Sequence, residues 1–448
     1  MKKFFILIAL LPFAAHAAKN DDCLAMRDVP ADELSLRDVI ELGLCRNPQT
    51  TSAYLSVKSA QYAKNAGYAS YLPQVNASAS GNLPYRNQEW GDWSWGASLS
   101  ASYLIFDFGQ RLENLNRLAA VYRATGFEYD ETIQNFVYGL IGSYYSLLTA
   151  NADVETATSL RATAKTALDT ANTKYKAGAV ARADVLRAET TMASRELDLE
   201  RAKNNREIVK GQLLAKLSFP ANQEIKIADM SATFGTVAEN KSIDELIEMA
   251  QEQRPDLLRA TANKDAAWHR RNSVFLSNLP SISASGTMSW NNTPSESFNV
   301  GTDNISGSIG IRASMPLFAG FANMYGVLQA QAGYDQAIEN ERAARDSATL
   351  DIFSAYHNYK TAQMVLKQTE TMLKSARESE RVTAGMYKVG RATMLDWQTA
   401  QAELADAQKQ NNAAKYDLFT KRAAVALAIG DIRVGLIKGE RRDETTTQ

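Results

Sequence analysis

Ser35-Leu-Arg-Asp-Val-Ile-Glu-Leu-Gly-Leu-Cys-Arg-Asn-Pro48 returns as Ser242-Ile-Asp-Glu-Leu-Ile-Glu-Met-Ala-Gln-Glu-Gln-Arg-Pro255, an offset of 207 residues. Leu72-Pro73 returns at the same offset as Leu279-Pro280. Beyond that point the offset is 212: Ile105-Phe106 returns as Leu317-Phe318, and Tyr175-x-x-Gly178-x5-Asp184 as Tyr387-x-x-Gly390-x5-Asp396. The period is far longer than the ~20–50 residues of solenoid arrays. These landmarks, in order and with one five-residue insertion, describe a duplicated half-protein. Whatever one half builds is expected twice.

Working outward, the prolines mark the joints. Pro48 and Pro255 each follow a short helix, and Pro73 and Pro280 end the next one. None lies between 85 and 219 or after 316, so long unbroken helices are allowed there. From Leu112 to Tyr175, positions spaced alternately three and four are apolar at sixteen of nineteen places, with Gly126, Ser143 and Arg161 the exceptions. A sustained 3.5-residue repeat is a coiled-coil seam. It predicts a helix over about 108–175, on the order of 100 Å long, and the second half predicts its counterpart over about 321–386. Shorter return helices are expected over 182–217 and about 393–429. Two short helices stacked end to end match the long one in length, which predicts one rod per half.

Between helices the period changes to two. Trp93, Trp95, Ala97, Leu99, Ala101, Tyr103 and Ile105 alternate with Ser94, Gly96, Ser98, Ser100 and Ser102. Ile282 to Trp290 and Ile305 to Met315 alternate with serine, glycine, threonine and one arginine, and a weaker run covers Val75–Ala79. These are four strands forming two hairpins, about 74–106 and about 281–317. A small, hydroxyl-rich polar face opposite an apolar face is the pattern of a membrane barrel strand. Trp90, Trp93, Trp95 and Trp290 near the turns are expected to form an interfacial aromatic belt. Four strands cannot close a barrel, because single-chain membrane barrels start at eight. The chain must therefore oligomerise. Two copies give eight strands with a filled interior, and three give twelve with room for a pore. The fold class expected is an α+β membrane protein with an internal two-fold repeat: a first repeat over 18–217, a linker over 218–241, a second repeat over 242–430 and a polar tail over 431–448. The five-residue insertion is placed in the second hairpin, around 291–302.

The ends and the charge bound the compartment. Lys2 and Lys3 precede an apolar run and the small-x-small triplet Ala15-His16-Ala17, which predicts an export signal over 1–17. Its removal takes the net charge from −1 to −3, since two lysines leave, and nothing resembles a nucleic-acid footprint. Cys23 and Cys45 are the only cysteines, and in an exported chain a disulfide between them is expected. No catalytic constellation is present: there is no HExxH, CxxC, Walker A or GxGxxG pattern. Of three histidines, His16 leaves with the signal, and His269 and His357 lie far apart on helices. Neither a metal nor a cofactor is expected.

The informative polar residues are at the helix-to-helix turns, Tyr175-Lys-Ala-Gly178-Ala-Val-Ala-Arg182-Ala-Asp184 and Tyr387-Lys-Val-Gly390-Arg391-Ala-Thr393-Met-Leu-Asp396. Gly178 and Gly390 stop the long helices. A carboxylate near the start of each return helix suits the helix dipole. The turns are the distal ends of the rods, where rings of charge can gate or select.

These paired turns, the Leu-Pro steps before serine-rich hairpins, and the Ile-Phe-Asp and Leu-Phe-Ala-Gly junctions resemble the TolC family of outer-membrane efflux and secretion proteins, over essentially the whole mature chain. The resemblance implies a homotrimer with a twelve-stranded transmembrane β-barrel in the outer membrane and a periplasmic α-helical barrel. A periplasmic adaptor and an inner-membrane ABC or RND transporter are the implied partners, and the channel is no enzyme. Leu42-Gly-Leu-Cys45-Arg-Asn-Pro-Gln-Thr50 looks most like the type I protein-secretion branch, including the cyclolysin-secretion type; small-molecule efflux is the alternative, and a structural or adhesive trimer the rival class. Carried over by motif, Asp184 and Tyr387 match a tip pair that holds helices together in a closed state. Asp396 matches one member of a carboxylate ring whose second member falls at Thr399, and a family arginine falls at Ala392, with Arg391 adjacent. Arg182 against Met394 is a further departure from symmetry at the tips.

Overall fold

The computed structural model describes residues 33–86, 88–90, 93–229, 241–293 and 302–432. The expected export signal, Cys23, part of the linker, the second hairpin turn and the tail from 433 lie outside these residues. The elements in chain order are α1 (Leu36–Arg46), α2 (Pro48–Gly67) followed by a 3-10 turn (Tyr68–Tyr71), β1 (Gln74–Asn82), a small ladder of β2 (Tyr85–Arg86) and β3 (Glu89–Trp90), β4 (Ser94–Phe106), α3 (Gln110–Lys176), α4 (Arg182–Lys216), α5 (Ile243–Gln253), α6 (Pro255–Leu276), β5 (Ser281–Thr293), β6 (Thr302–Ser314), α7 (Ala322–Lys388) and α8 (Met394–Ala428). Both long helices have 67 residues and both return helices 35, so α3 and α7 are each about 100 Å long at ~1.5 Å per residue.

The short helices stack end to end, and the joints are specific. Asn47 caps α2 by accepting from the Gln49 amide at 2.7 Å, while its own amide donates to the Lys216 carbonyl at the end of α4 at 2.9 Å. One side chain thus satisfies an orphan donor of one helix and an orphan acceptor of the other. At the second joint the Arg254 guanidinium donates to the Ala428 carbonyl and pairs with Asp256 and Asp351. Gly430, with φ +76°, brings the chain so close that an added Cβ would sit 2.8 Å from the Arg254 Cα.

The helices form one layer. In the part distal to the sheet α3 packs between α4 and α8, and α8 packs against α7. In the part nearer the sheet α3 packs between α2 and α6, and α6 packs against α7. Each long helix runs beside its own half's two short helices, and the two halves also pack against each other. α6 belongs to the second half yet lies against α3 of the first, tied by Arg259–Glu131 at 3.0 Å and Arg123–Asp265 at 3.2 Å. Burial of a second flank of α3 drives this, which a repeat read half by half does not show. α6 is also bound to α7, where buried Glu341 accepts from Lys264 at 2.6 Å and from Thr261 and Arg345 at 3.0 Å. The layer leaves two open edges. One is the α2/α4 stack, with exposed Leu55, Tyr62, Leu186, Leu197 and Ile208; the other is α7, with exposed Leu328, Leu350, Phe353 and Met364.

The main core lies midway along α3. Phe136, Val137, Leu140, Ile141, Tyr144 and Tyr145 are buried under α1 and the end of α4. In the linker, Ile227 makes one isolated parallel bridge to Leu34. A smaller core of Leu246, Ala250, Ile352 and Tyr359 joins α5 to α7.

The sheet is antiparallel with strand order β1-β4-β5-β6, so β4 and β5 join the halves and β1 and β6 are free edges. β6 ends at Ser314, short of the expected 317, because its partner β5 begins at Ser281 after Pro280 and offers nothing beyond. β5 has 13 residues against 9 in β1. The small β2–β3 ladder was not anticipated; it carries Trp90, packed 4.8 Å from Tyr85.

Candidate functional site

Two regions could serve a function: the two faces of the sheet, and the turns at the far end of the helices.

The register aligns like residues across all four strands. Ser78, Ser98, Ser289 and Ser306 form one row, and Asn76, Ser100, Thr287 and Ser308 the next. Hydroxyls meet at 2.8 Å in Ser78–Ser98, Thr287–Ser308 and Ser289–Ser306. The opposite face carries Val75, Leu99, Tyr103, Met288, Ile305, Ile309 and Ile311, all exposed, with Ile309 at 93%. A sheet in water buries its apolar face and solvates its polar one. Here no element among the described residues covers the apolar side, which is the arrangement of a sheet with lipid on one side and water on the other. Trp95 and Trp290 stand on the apolar face, in rows Gly81–Trp95 and Ala97–Trp290–Ile305. Trp93 precedes β4 and stacks on Trp95 with ring centroids 5.4 Å apart. All four tryptophans are exposed, near the end of the sheet away from the helices. Among the described residues no helix is long and apolar enough to cross a membrane.

At the other end, Gly178 (φ +73°) and Gly390 (φ +78°) terminate α3 and α7 in the left-handed conformation that glycine adopts without strain. Asp184 starts α4, half-buried, with Arg187 Nη1 3.9 Å away. Tyr387 is buried with Ala167, Ala171, Val185, Ala188, Met394 and Trp397, so the structure brings Tyr387 and the start of α4 into one cluster. Burial, then the nearby Asp184 charge, raise the Tyr387 phenol above its ordinary pKa. The phenol oxygen, however, has no hydrogen-bond partner among the described residues; Asp184 acts on it through charge. Asp396 is exposed and closes a capping box: the Thr393 hydroxyl donates to it at 2.7 Å and the Thr393 amide at 2.8 Å. Those donors lower its pKa, the hydroxyl most. Arg182 and Arg391 are exposed, and neither is brought to the Asp184–Tyr387 cluster. Thr399, exposed on α8, donates to the Leu395 carbonyl.

Sequence reasoning missed the groups that tie the two turns together. Lys174 on α3 donates to the Tyr387 carbonyl and sits 4.4 Å from the Tyr387 ring centroid. Gln398 on α8 donates to Thr191 Oγ1 on α4 at 2.7 Å, and Trp397 donates to Glu380 at 2.9 Å. The first two cross more than 200 residues and leave no local signal. The Thr393-x-x-Asp396 box is local and was readable. Cys45 lies on α1, and its expected partner Cys23 is outside the described residues.

Comparison with known proteins points the same way. The family model "Outer membrane efflux protein" matches in two stretches, 39–217 and 246–431. The chain is 25% identical to outer membrane protein TolC of Vibrio cholerae serotype O1 over 396 residues, covering 86% of this chain and 88% of that one. It is 22% identical to Protein CyaE of Bordetella pertussis, covering 91% and 86%. Its fold is similar to the outer membrane protein VceC of Vibrio cholerae, with TM-score 0.75, 18% identity and 88% and 96% of the two chains covered. It is equally similar to the outer-membrane channel OprN, with TM-score 0.76, 18% identity and 88% and 90% coverage. With a family match over most of its length, the chain belongs to the outer membrane efflux protein family and is an outer-membrane channel protein that extends into the periplasm.

Proposed function

We propose that three copies close edge to edge into a passive export channel: twelve strands in the outer membrane above a helical barrel in the periplasm. The observation that carries this is the coincidence of open edges. β1 follows α2, on the α2/α4 edge of the helical layer, and β6 leads into α7, the other edge. Both helical edges expose apolar side chains, and both strand edges expose unpaired backbone groups. The right edge of one copy therefore satisfies the left edge of the next in both layers at once, a heterologous contact that must close into a ring. Lipid forces the same closure, because open sheet edges are not tolerated in a bilayer. The serine rows then face the lumen. Small hydroxyls leave it open and wet, whereas a solid adhesive rod would fill it.

The turns form the periplasmic mouth, with Asp184, Tyr387 and Asp396 at the gate, and Arg182 and Arg391 available at the rim. A periplasmic adaptor and an inner-membrane transporter of the ABC class dock there. The substrate is an exported protein; the Leu42–Thr50 segment and the likeness to Protein CyaE over 91% of the chain support the type I reading. Each half supplies one membrane hairpin and one helical hairpin, a repeat supported by the paired lengths of the long and return helices.

The test is native mass spectrometry of the detergent-extracted particle together with bilayer conductance. Three chains per particle and a conductance that rises in the Asp184→Ala/Asp396→Ala variant are expected. A monomer or dimer, or a non-conducting trimer, overturns the reading. Deletion of the chain should abolish export of the substrate encoded beside its transporter, leaving drug susceptibility unchanged.

A further inference from the structure

We propose that Arg312 is a charge filter on the lumenal face of the sheet, a site that attracts carboxylate or phosphate groups of whatever passes. Among the described strand residues on the polar face, it is the single charged side chain. Every row distal to it is built of Ser, Thr, Asn, Gln or Gly. Arg312 stands two residues before the end of β6, opposite Ser283 and, across β5, Leu104. That is the end of the sheet that joins the helices.

Two features mark this arginine as free to act on a solute. It is exposed and makes no ion pair or hydrogen bond among the described residues. The contrast is Arg111, at the same end of the sheet. Arg111 is nearly buried, pairs with Asp107 at 3.0 Å and donates to the carbonyls of Ser70, Leu104 and Ile105. That guanidinium is spent holding the end of β4 to the 3-10 turn. Among the described residues nothing neutralises the Arg312 charge, and its same-face neighbours Gly310, Ser314 and Ser283 are small, so its long side chain has little to pack against. Rings of like charge are how pores select, and a ring of three follows from the trimer, on which this inference rests.

The experiment reads the local field without depending on the tip. Ser283→Cys, beside Arg312 on the polar face, is labelled in the assembled full-length protein by anionic and cationic methanethiosulfonate reagents of similar size. The parent protein serves as the blank for its own cysteines. One guanidinium roughly 8 Å from the thiol at ~0.01 M salt changes the anion-to-cation rate ratio about fourfold. That ratio should fall about fourfold in Arg312→Gln, recover in Arg312→Lys, and lose most of its dependence on residue 312 at ~1 M salt. A ratio unchanged by Arg312→Gln, with Ser283→Cys still labelled, overturns the filter and leaves the channel reading intact. If instead Ala284→Cys labels and Ser283→Cys does not, the faces are reversed and both fall.

Discussion

Replacing Gly430 by alanine should destabilise the protein more than the same change at any other left-handed glycine, and the structure says by how much. Gly430 has φ +76° and Gly390 has φ +78°, so the backbone penalty of an added Cβ is the same at both, about 1–2 kcal/mol. The surroundings differ. At Gly390 a Cβ meets nothing within 4 Å, whereas at Gly430 it meets Arg254 Cα at 2.8 Å, Arg254 N at 3.0 Å and the Gln253 carbonyl at 3.0 Å. Those are backbone atoms at the α5–α6 joint and cannot swing away. Relieving the overlap moves Arg254, which holds the α8 carbonyl at Ala428 and the carboxylates of Asp256 and Asp351. Overpacking of this kind costs a further ~1–3 kcal/mol. Gly430→Ala should therefore cost about 2–5 kcal/mol and Gly390→Ala about 1–2. The assay is thermal unfolding of the detergent-extracted particle followed by circular dichroism at one scan rate, since unfolding of such an assembly is read as a rate. Equal midpoint shifts for the two variants would refute the close approach at the α8–α6 joint.

Ile309→Lys should block assembly in the outer membrane although Ile309 is the most exposed large hydrophobic residue described, because a lysine facing lipid at mid-depth costs ~2–4 kcal/mol; Ser308→Lys, on the other face, should assemble, and heat-modifiable migration on gels separates the two. Lys174→Ala removes the ammonium that reaches the Tyr387 carbonyl and ring, a contact of ~0.5–2 kcal/mol, so single-channel conductance should rise; an unchanged conductance would show that the turns are held elsewhere. Asp396 has a depressed pKa in the folded protein. Its charged form therefore supports α8 above the ordinary carboxylate value, and the support is lost as pH falls through the depressed one. Thr393→Ala removes the hydroxyl donor, so the pH at which protonation of Asp396 changes the conductance in bilayers should move up; a profile identical to the parent's would exclude Asp396 as the group responsible.

Local order was legible because it is written in spacing. Side chains alternate across a strand and recur every 3.5 residues along a coiled-coil seam, so the serine rows, the outward isoleucines and the long helices could be read from Ser94–Phe106, Ile305–Met315 and Leu112–Tyr175. The turn glycines were legible for the same reason, as the stops between two periodic runs. Lys174, Gln398 and Asn47 were not. Their partners lie 213, 207 and 169 residues away, and no spacing encodes such a pair.

By itself, then, the sequence determined which residues form helix and which form strand, and which face of each strand is apolar, because those follow from backbone geometry and side-chain chemistry within a few residues. Only the tertiary structure decided which helix flanks which. α6 packs on α7 of its own half and also covers α3 of the first, since α3 has two flanks to bury and its own half supplies one. Only the tertiary structure left the Tyr387 phenol without a partner, set Lys174 on its ring, and separated the neutralised Arg111 from the unpaired Arg312. Two arginines of identical chemistry acquire different roles because one has Asp107 within reach and the other, among the described residues, has no ion-pair partner.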